Sequence, residues 1–274
     1  YPDYRIAIGD LDGDGKLDVA VSNYYSNTLS VYRNTSTSGT VTFATKVDFA
    51  TGVNPRSVAI GDVDGDGKPD IAVACPGSNG FSIFRNTTTS DTITTGSIAP
   101  KVDFTNSWAY NVAFGDFDDD GKADLLLAGG DGLNVISIYR NTSAIGSIDA
   151  NSITSNGTIA TGANPWGLAI GDIDGDGKLD IAAANAGSNS VSLFRNTTTS
   201  ETITFASKVD FPAGTSVYGV GISDVDGDGK QDIVIPSSNP SAIKIYRNIG
   251  TSGNIASNSF APSVDFATGL QPSN

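Results

Sequence analysis

Short apolar runs recur along this chain at regular intervals, each bounded by Gly, Asn, Asp or Ser. Five runs, RIAIG, SVAIG, NVAFG, GLAIG and GVGIS, each precede an acidic stretch. Five more, VAVS, IAVA, LLLA, IAAA and IVIP, follow it. About ten residues on comes a third set: LSVYRN, FSIFRN, ISIYRN, VSLFRN and IKIYRN. A Ser/Thr-rich linker then leads to KVDFATG from Lys46, KVDFTNS from Lys101, KVDFPAG from Lys208 and SVDFATG from Ser263, whereas the third repeat has only TIATG from Thr158. Runs this short, β-branched and bounded by turn formers read as strands. No segment carries a helical period over the 10–12 residues a helix needs.

The acidic stretches begin at Asp10, Asp62, Asp116, Asp172 and Asp224, in steps of 52, 54, 56 and 52 residues. Each repeat therefore supplies four strands, a to d, as a meander, which at this period is the pattern of a β-propeller blade. In strand a, large residues (Val58, Ile60) alternate with small ones (Ser57, Ala59), so both faces can pack on neighbouring blades. The expected fold is all-β: a β-propeller of five four-stranded antiparallel blades in a single domain over residues 1–274. The repeats fall at approximately 1–52, 53–106, 107–162, 163–214 and 215–274. Val264–Pro272 (VDFATGLQP) repeats Val47–Pro55 (VDFATGVNP), and Tyr4–Asp10 supplies a strand a. The ends thus fall between strand d of one blade and strand a of the next. Closure would rest on face packing without a strand clasp, and five repeats fit either a closed ring or part of a larger ring or array.

The acidic stretches are DLDGDGKLD, DVDGDGKPD, DFDDDGKAD, DIDGDGKLD and DVDGDGKQD. Carboxylates this close repel one another unless something neutralises them. Side chains at loop positions 1, 3, 5 and 9 with a backbone carbonyl at 7 suit a Ca²⁺ ion, which takes six to eight oxygens. The expected ligands are Asp10, Asp12, Asp14, Lys16 and Asp18; Asp62, Asp64, Asp66, Lys68 and Asp70; Asp116, Asp118, Asp120, Lys122 and Asp124; Asp172, Asp174, Asp176, Lys178 and Asp180; and Asp224, Asp226, Asp228, Lys230 and Asp232, each Lys by its carbonyl. Gly15, Gly67, Gly121, Gly177 and Gly229 at position 6 permit the left-handed turn. The flanks are strands and the last acid is Asp at position 9, so the loop is not an EF-hand. Mg²⁺ avoids all-protein cages, and Zn²⁺ wants His or Cys. The bland alternative is an Asp-rich turn held by Asx hydrogen bonds, which rarely needs four acids.

Composition narrows the functions. There are 16 basic and 30 acidic residues, a formal charge of −14, and all acids but Glu201 are Asp. Nucleic acid needs a basic surface and is excluded as a partner. About five Ca²⁺ ions would offset most of this charge, and loops of extracellular type bind in the ~10⁻⁴–10⁻³ M range. The chain has no His, so the commonest general base is missing. Cys75 is alone and reads as a small buried hydrophobe. The absence of Met predicts a processed N-terminus or a piece of a longer chain. No apolar run reaches the 18 residues of a transmembrane helix.

Strand–DxDGDGxxD–strand, with SVAIGDVDGDGKPDIAVA (Ser57–Ala74) as its best example, resembles the FG-GAP/VCBS-type repeat of integrin-α-like propellers and secreted bacterial proteins. The resemblance covers essentially the whole chain. It implies Ca²⁺ on the loop Asp residues and an extracellular or cell-surface setting. Asp119, where other loops have Gly, and Ser223, where others have the preceding Gly, depart from it, as does a count of five blades where integrin-like propellers have seven.

Three other series recur. Arg33, Arg85, Arg140, Arg195 and Arg247 end strand c; they read as structural partners of the strand-d acids Asp48, Asp103, Asp210 and Asp265, or else as anion or glycan contacts. Tyr4, Arg56, Tyr110, Trp166 and Tyr218 begin strand a, as inter-blade packing or as a ring that stacks sugars. Asn34, Asn86, Asn141 and Asn196 have the form of glycosylation sequons, as does Asn156. The expected function is a non-catalytic cell-surface, adhesive or structural module, one form of which self-assembles into fibres. Its partners are other protein chains, copies of itself or glycans. The alternatives are a lectin with sites repeated between blades and, third, a polysaccharide-acting enzyme.

Overall fold

The computed structural model describes residues 6–105, 109–130, 132–270 and 272. Among the described residues twenty strands form five four-stranded antiparallel sheets. The first sheet runs β1 (Ile6–Gly9), β2 (Asp18–Asn23), β3 (Thr28–Tyr32), β4 (Val47–Ala50). The second runs β5 (Ser57–Gly61), β6 (Asp70–Cys75), β7 (Gly80–Phe84), β8 (Val102–Thr105). The third holds β9 (Ala109–Gly115), β10 (Asp124–Gly129), β11 (Val135–Asn141) and β12 (Ile153–Ala160), again in meander order. The fourth runs β13 (Pro165–Gly171), β14 (Asp180–Asn185), β15 (Ser190–Phe194), β16 (Val209–Pro212). The fifth runs β17 (Gly221–Ser223), β18 (Asp232–Ser238), β19 (Ser241–Tyr246), β20 (Val264–Ala267). Among the described residues the only helix is a 3₁₀ turn at Pro76–Ser78. Among the described residues no helix is long and apolar enough to cross a membrane.

By compactness the chain divides into two units. One comprises residues 1–114, 121–127 and 139–155, and the other residues 115–120, 128–138 and 156–274. In the first, Leu11, Ala20, Leu29 and Val31 of the first blade share one core cluster with Val58, Ile71, Val73, Cys75 and Ile98 of the second. In the second unit, Ala182, Val191, Leu193 and Phe211 of the fourth blade share one with Ile233, Ile235 and Phe260 of the fifth. Blades therefore bury their faces on one another, as the alternation of large and small residues in strand a requires. Glycine before the acidic loop sets how closely they approach. A Cβ on Gly9 would stand 2.8 Å from Ile60 Cγ2, and one on Gly171 would stand 3.1 Å from Ile222 Cγ2. Cys75 is buried in this packing, and burial pushes its thiol up to about 11.

Candidate metal centre

Each acidic loop closes a strand a–strand b hairpin, and its last Asp is the first residue of strand b. Gly9 pairs with Asp18, Gly61 with Asp70, Gly171 with Asp180 and Ser223 with Asp232. The glycine at position 6 is left-handed in all five loops, with φ between 82° and 90°. Position 4 is left-handed too: Gly13, Gly65, Gly175 and Gly227 have φ of 68–79°, and Asp119 has φ 58°. Asp tolerates that region better than most side chains, which is why the third loop accepts it.

The position-1 carboxylate caps the turn. Asp10 accepts the N–H groups of Gly13, Asp14 and Gly15 at 2.8–3.1 Å, and Asp224 accepts the corresponding three at 2.7–3.1 Å. In the second loop Asp62 Oδ2 accepts from Gly67 at 2.9 Å, while Asp62 Oδ1 is buried with no hydrogen-bond donor among the described residues. Asx bonds are thus present, and they leave carboxylate lone pairs over. One oxygen each from Asp10, Asp12 and Asp18 lie within 4.8 Å of one another. The same holds for Asp62, Asp64 and Asp66, for Asp172, Asp174 and Asp180, and for Asp224, Asp226 and Asp232. The third loop repeats the composition, with the Asp120 N–H on Asp116 Oδ1 at 3.2 Å. Its Asp116, Asp118 and Asp120 fall in the second unit, and Lys122 and Asp124 in the first. An orphaned, buried carboxylate oxygen inside an all-oxygen group fits a hard cation, which would supply the missing positive charge.

The position-9 acid carries a second task. Asp70 is fully buried; its two oxygens accept the N–H groups of Val63 (2.9 Å) and Asn86 (2.8 Å). Asp18, Asp180 and Asp232 are held in the same way. Burial pushes Asp70 and Asp180 up to about 7 against the opposing pull of these bonds, and the charges of Asp64 and Asp174 add to the rise. The position-5 acids Asp14, Asp176 and Asp228 stand outside the tight groups of their loops. The lysines at position 7 turn their N–H groups to these acids: Lys16 on Asp14 at 2.9 Å, and Lys68, Lys178 and Lys230 on theirs at 3.0 Å.

The arginines differ from expectation. Arg85 Nε bonds Asp64, and its Nη2 bonds Asp66 at 2.8 Å. Arg33 does the same to Asp12 and Asp14, Arg195 to Asp174 and Asp176, and Arg247 stands 3.7 Å from Asp226. The strand-d acids face strand c instead. Ser30, Ser82 and Ser192 donate to Asp48, Asp103 and Asp210 at 2.5–2.6 Å, and Lys244 takes the serine's place opposite Asp265. Strand pairing puts Ser30 directly across from Asp48, whereas Arg33 lies beyond the end of β3 and swings towards the loop. A separation of 21 residues between the position-3 Asp and the Arg, kept in every repeat but the third, is the signal in the sequence that marks this pair.

The asparagines also differ. Asn86, Asn141 and Asn196 are buried, and each side-chain amide donates two hydrogen bonds. One goes to the position-8 carbonyl of its own loop, at Pro69, Ala123 or Leu179. The other goes to the position-2 carbonyl of the loop before, at Leu11, Val63 or Phe117, all at 2.7–3.1 Å. Both amide hydrogens are spent, so no glycan fits on these three nitrogens in the folded chain. Asn34 is half-buried and donates to Leu17.

At the start of strand a, the Arg56 guanidinium lies over the rings of Tyr24 (5.3 Å) and Tyr110 (4.3 Å). Trp166 and Tyr218 meet edge to face at 5.5 Å. Tyr4 lies outside the described residues.

Five meandering four-stranded sheets with an acidic a–b hairpin define a protein built of β-propeller blades. Residues 10–73, 63–127, 116–183 and 172–235 match the family described as FG-GAP-like repeat, each match running from one acidic loop through the next. The chain belongs to the FG-GAP repeat family. No curated protein matches it. Among solved structures, an Agrocybe aegerita lectin that recognises non-reducing terminal N-acetylglucosamine is similar, at 18% identity and a TM-score of 0.52, over 96% of this chain and 66% of that one. A humanised mutant of Chaetomium thermophilum Polycomb Repressive Complex 2 bound to an inhibitor is similar at 11% identity and a TM-score of 0.57, over 93% of this chain and 52% of that one. The chain thus spans between half and two thirds of these relatives' length, and at these identities the likeness is one of fold.

Proposed function

We propose that the protein is a secreted or cell-surface β-propeller, stabilised by about one Ca²⁺ per blade, that binds or assembles rather than catalyses. The observation that carries this is the acidic group at each a–b hairpin, with Asp62 Oδ1 buried and orphaned inside one of them. Ions there would be held by the position-1, -3, -5 and -9 acids of Asp10–Asp18, Asp62–Asp70, Asp116–Asp124, Asp172–Asp180 and Asp224–Asp232, with the carbonyls of Lys16, Lys68, Lys122, Lys178 and Lys230. Loops of extracellular Ca²⁺ modules bind at ~10⁻⁴–10⁻³ M, an affinity that suits the medium outside a cell. The same hairpin in every blade marks the ion as scaffold, and the repeated acids are then committed to it. Melting with and without a chelator, together with calorimetric titration of Ca²⁺, tests this. A raised melting temperature and several equivalents of uptake are expected; no uptake and an unchanged melt would refute it.

A lectin is the second reading. A groove of about 550 Å³ between the first two blades is lined by Thr51, Ser82, Lys101, Asp103, Phe81 and Phe104, the mix of polar groups and aromatic side chains that sugars need. The similar Agrocybe aegerita protein is itself a lectin. Glycan-array binding lost in Phe104→Ala would favour it; silence across a broad array would discard it.

A further inference from the structure

Resting on the reading of the acidic loops as Ca²⁺ sites, we propose that those of the second and fourth blades are the tight ones, each held in ligating shape by the strand c–strand d linker of the following blade. In the first unit the third blade's linker bonds the second loop. Asn141 Nδ2 (2.7 Å) and Ser143 Oγ (2.9 Å) donate to the Val63 carbonyl, and the Gly146 N–H donates to that of Asp64 at 3.1 Å. In the second unit the fifth blade's linker does the same to the fourth loop. Asn248 Nδ2 donates to the Ile173 carbonyl at 2.7 Å, the Gly253 N–H to that of Asp174 at 3.1 Å, and Ser252 Oγ to that of Gly175 at 2.8 Å.

A left-handed glycine makes this reach possible. Gly146 and Gly253 each stand five residues after the linker Asn, with φ of 73° and 76°, a backbone state that glycine enters without strain. A Cβ on Gly146 would stand 3.4 Å from Arg85 Nη2, and one on Gly253 would stand 3.8 Å from Arg195 Nη2. The turn therefore lies against the arginine that bonds the position-3 and position-5 acids of the loop it covers. In the second blade's linker Asp91 takes the glycine's place. Among the described residues, that linker bonds the first loop only from Asn86 to the Leu11 carbonyl.

The bonded carbonyls bracket the position-3 acid. Those of Val63 and Asp64 belong to the peptide units on either side of Asp64, as those of Ile173 and Asp174 do for Asp174. Fixing both units sets the direction in which the carboxylate leaves the backbone. Position 4, left-handed at Gly65 and Gly175 with φ of 68° and 69°, then turns the chain towards the position-5 acid. A loop fixed before the ion arrives loses less freedom on binding it. Removing outer partners of metal ligands costs about 10–100-fold in affinity. Linkage is reciprocal, so what the linker adds to binding at the loop, a bound ion adds to the linker's hold, and filling these two sites fastens the junction to the next blade.

Hydrogen-exchange mass spectrometry on the full chain across a Ca²⁺ titration, read loop by loop, tests this. The second and fourth loops are expected to gain protection at Ca²⁺ concentrations about tenfold lower, or more, than the first. The linker segment around Gly253 is expected to gain protection together with the fourth loop. Gly253→Asp, which gives the fifth blade's linker the residue of the second, is expected to raise the fourth loop's midpoint by about tenfold and to leave the second loop's in place. Gly146→Asp is expected to do the reverse. Ser252→Ala, at an exposed position, removes one bond without straining the turn and is expected to shift the fourth loop alone by a smaller amount. The unaltered loop in the same molecule reports that each variant is folded. Equal midpoints in the first, second and fourth loops overturn the proposal, and so do glycine variants that shift both loops or neither. With Ca²⁺ uptake still seen by calorimetry, those results leave the proposed function standing. No uptake and no protected loop overturn both.

Discussion

Asn86 Nδ2 donates to the carbonyl oxygen of Leu11 at 2.8 Å, a bond between residues 75 positions apart that ties the second blade to the acidic loop of the first. Its other hydrogen goes to Pro69 at 3.0 Å, so one amide holds its own hairpin and its neighbour's. Because Asn86 is fully buried, its loss leaves two carbonyls dry. Asn86→Ala is expected to destabilise the fold by about 1–3 kcal/mol, measured by urea unfolding in Ca²⁺. Asn34→Ala, which removes one donated bond to Leu17 and one accepted from the Ser36 N–H at a half-buried site, is expected to cost less.

The same bonds decide modification. Expressed through a secretory pathway that glycosylates sequons, the folded chain is expected to carry no glycan on Asn86, Asn141 or Asn196, as site-resolved mass spectrometry will read. A glycan on any of the three in native protein contradicts the bonding described here.

The loop arginines substitute for part of a cation's charge. Arg85 meets Asp64, whose side chain is fully buried, and Asp66. Arg85→Met leaves two carboxylates facing one another. In chelator it is expected to destabilise by about 2–3 kcal/mol, and saturating Ca²⁺ is expected to recover a good part of the loss. Equal losses in both conditions would mean the Arg supports the blade independently of the acidic group.

Proton linkage gives a test by sign. Asp70 and Asp180 are raised from 3.8 to about 7 in the fold, so the folded chain holds protons that the unfolded chain has released. Their contribution to stability is fully present below about pH 4 and is lost as pH rises through about 7. In chelator the melting temperature is therefore expected to fall across that window. Ca²⁺ binds the deprotonated form, so saturating Ca²⁺ is expected to flatten or reverse the slope. Parallel slopes in the two media would separate these acids from the ion.

Cys75 is 1% exposed with its thiol pushed up to about 11. It is expected to resist thiol reagents in the native state and to react at once in denaturant, as low thiolate content and burial together dictate.

Much of this was legible in the chain. The repeat period, the four strands, the hairpin that carries the acids and the left-handed Gly15, Gly67, Gly121, Gly177 and Gly229 all follow from local chemistry. A strand pattern, a turn residue and an Asp every second position act over a few residues and read out directly. What local chemistry does not reach lies at longer range. The repeat pattern matches the arginines to strand-d acids because those stand nearby along the sheet, yet a residue past the end of strand c is free to turn to the loop. The sequon asparagines read as surface residues because Thr and Ser follow them, yet the neighbouring blade covers them.

The sequence alone determined the blade: its four strands, its acidic hairpin and its fivefold repetition, each a matter of local propensity and short spacing. Only the tertiary structure decided what each blade face meets. Leu29 and Ile243 occupy the same place in the repeat; one is fully buried and the other 38% exposed, because burial depends on what stands opposite a face. The same holds for Asn86, whose second hydrogen bond exists because the neighbouring blade offers the Leu11 carbonyl.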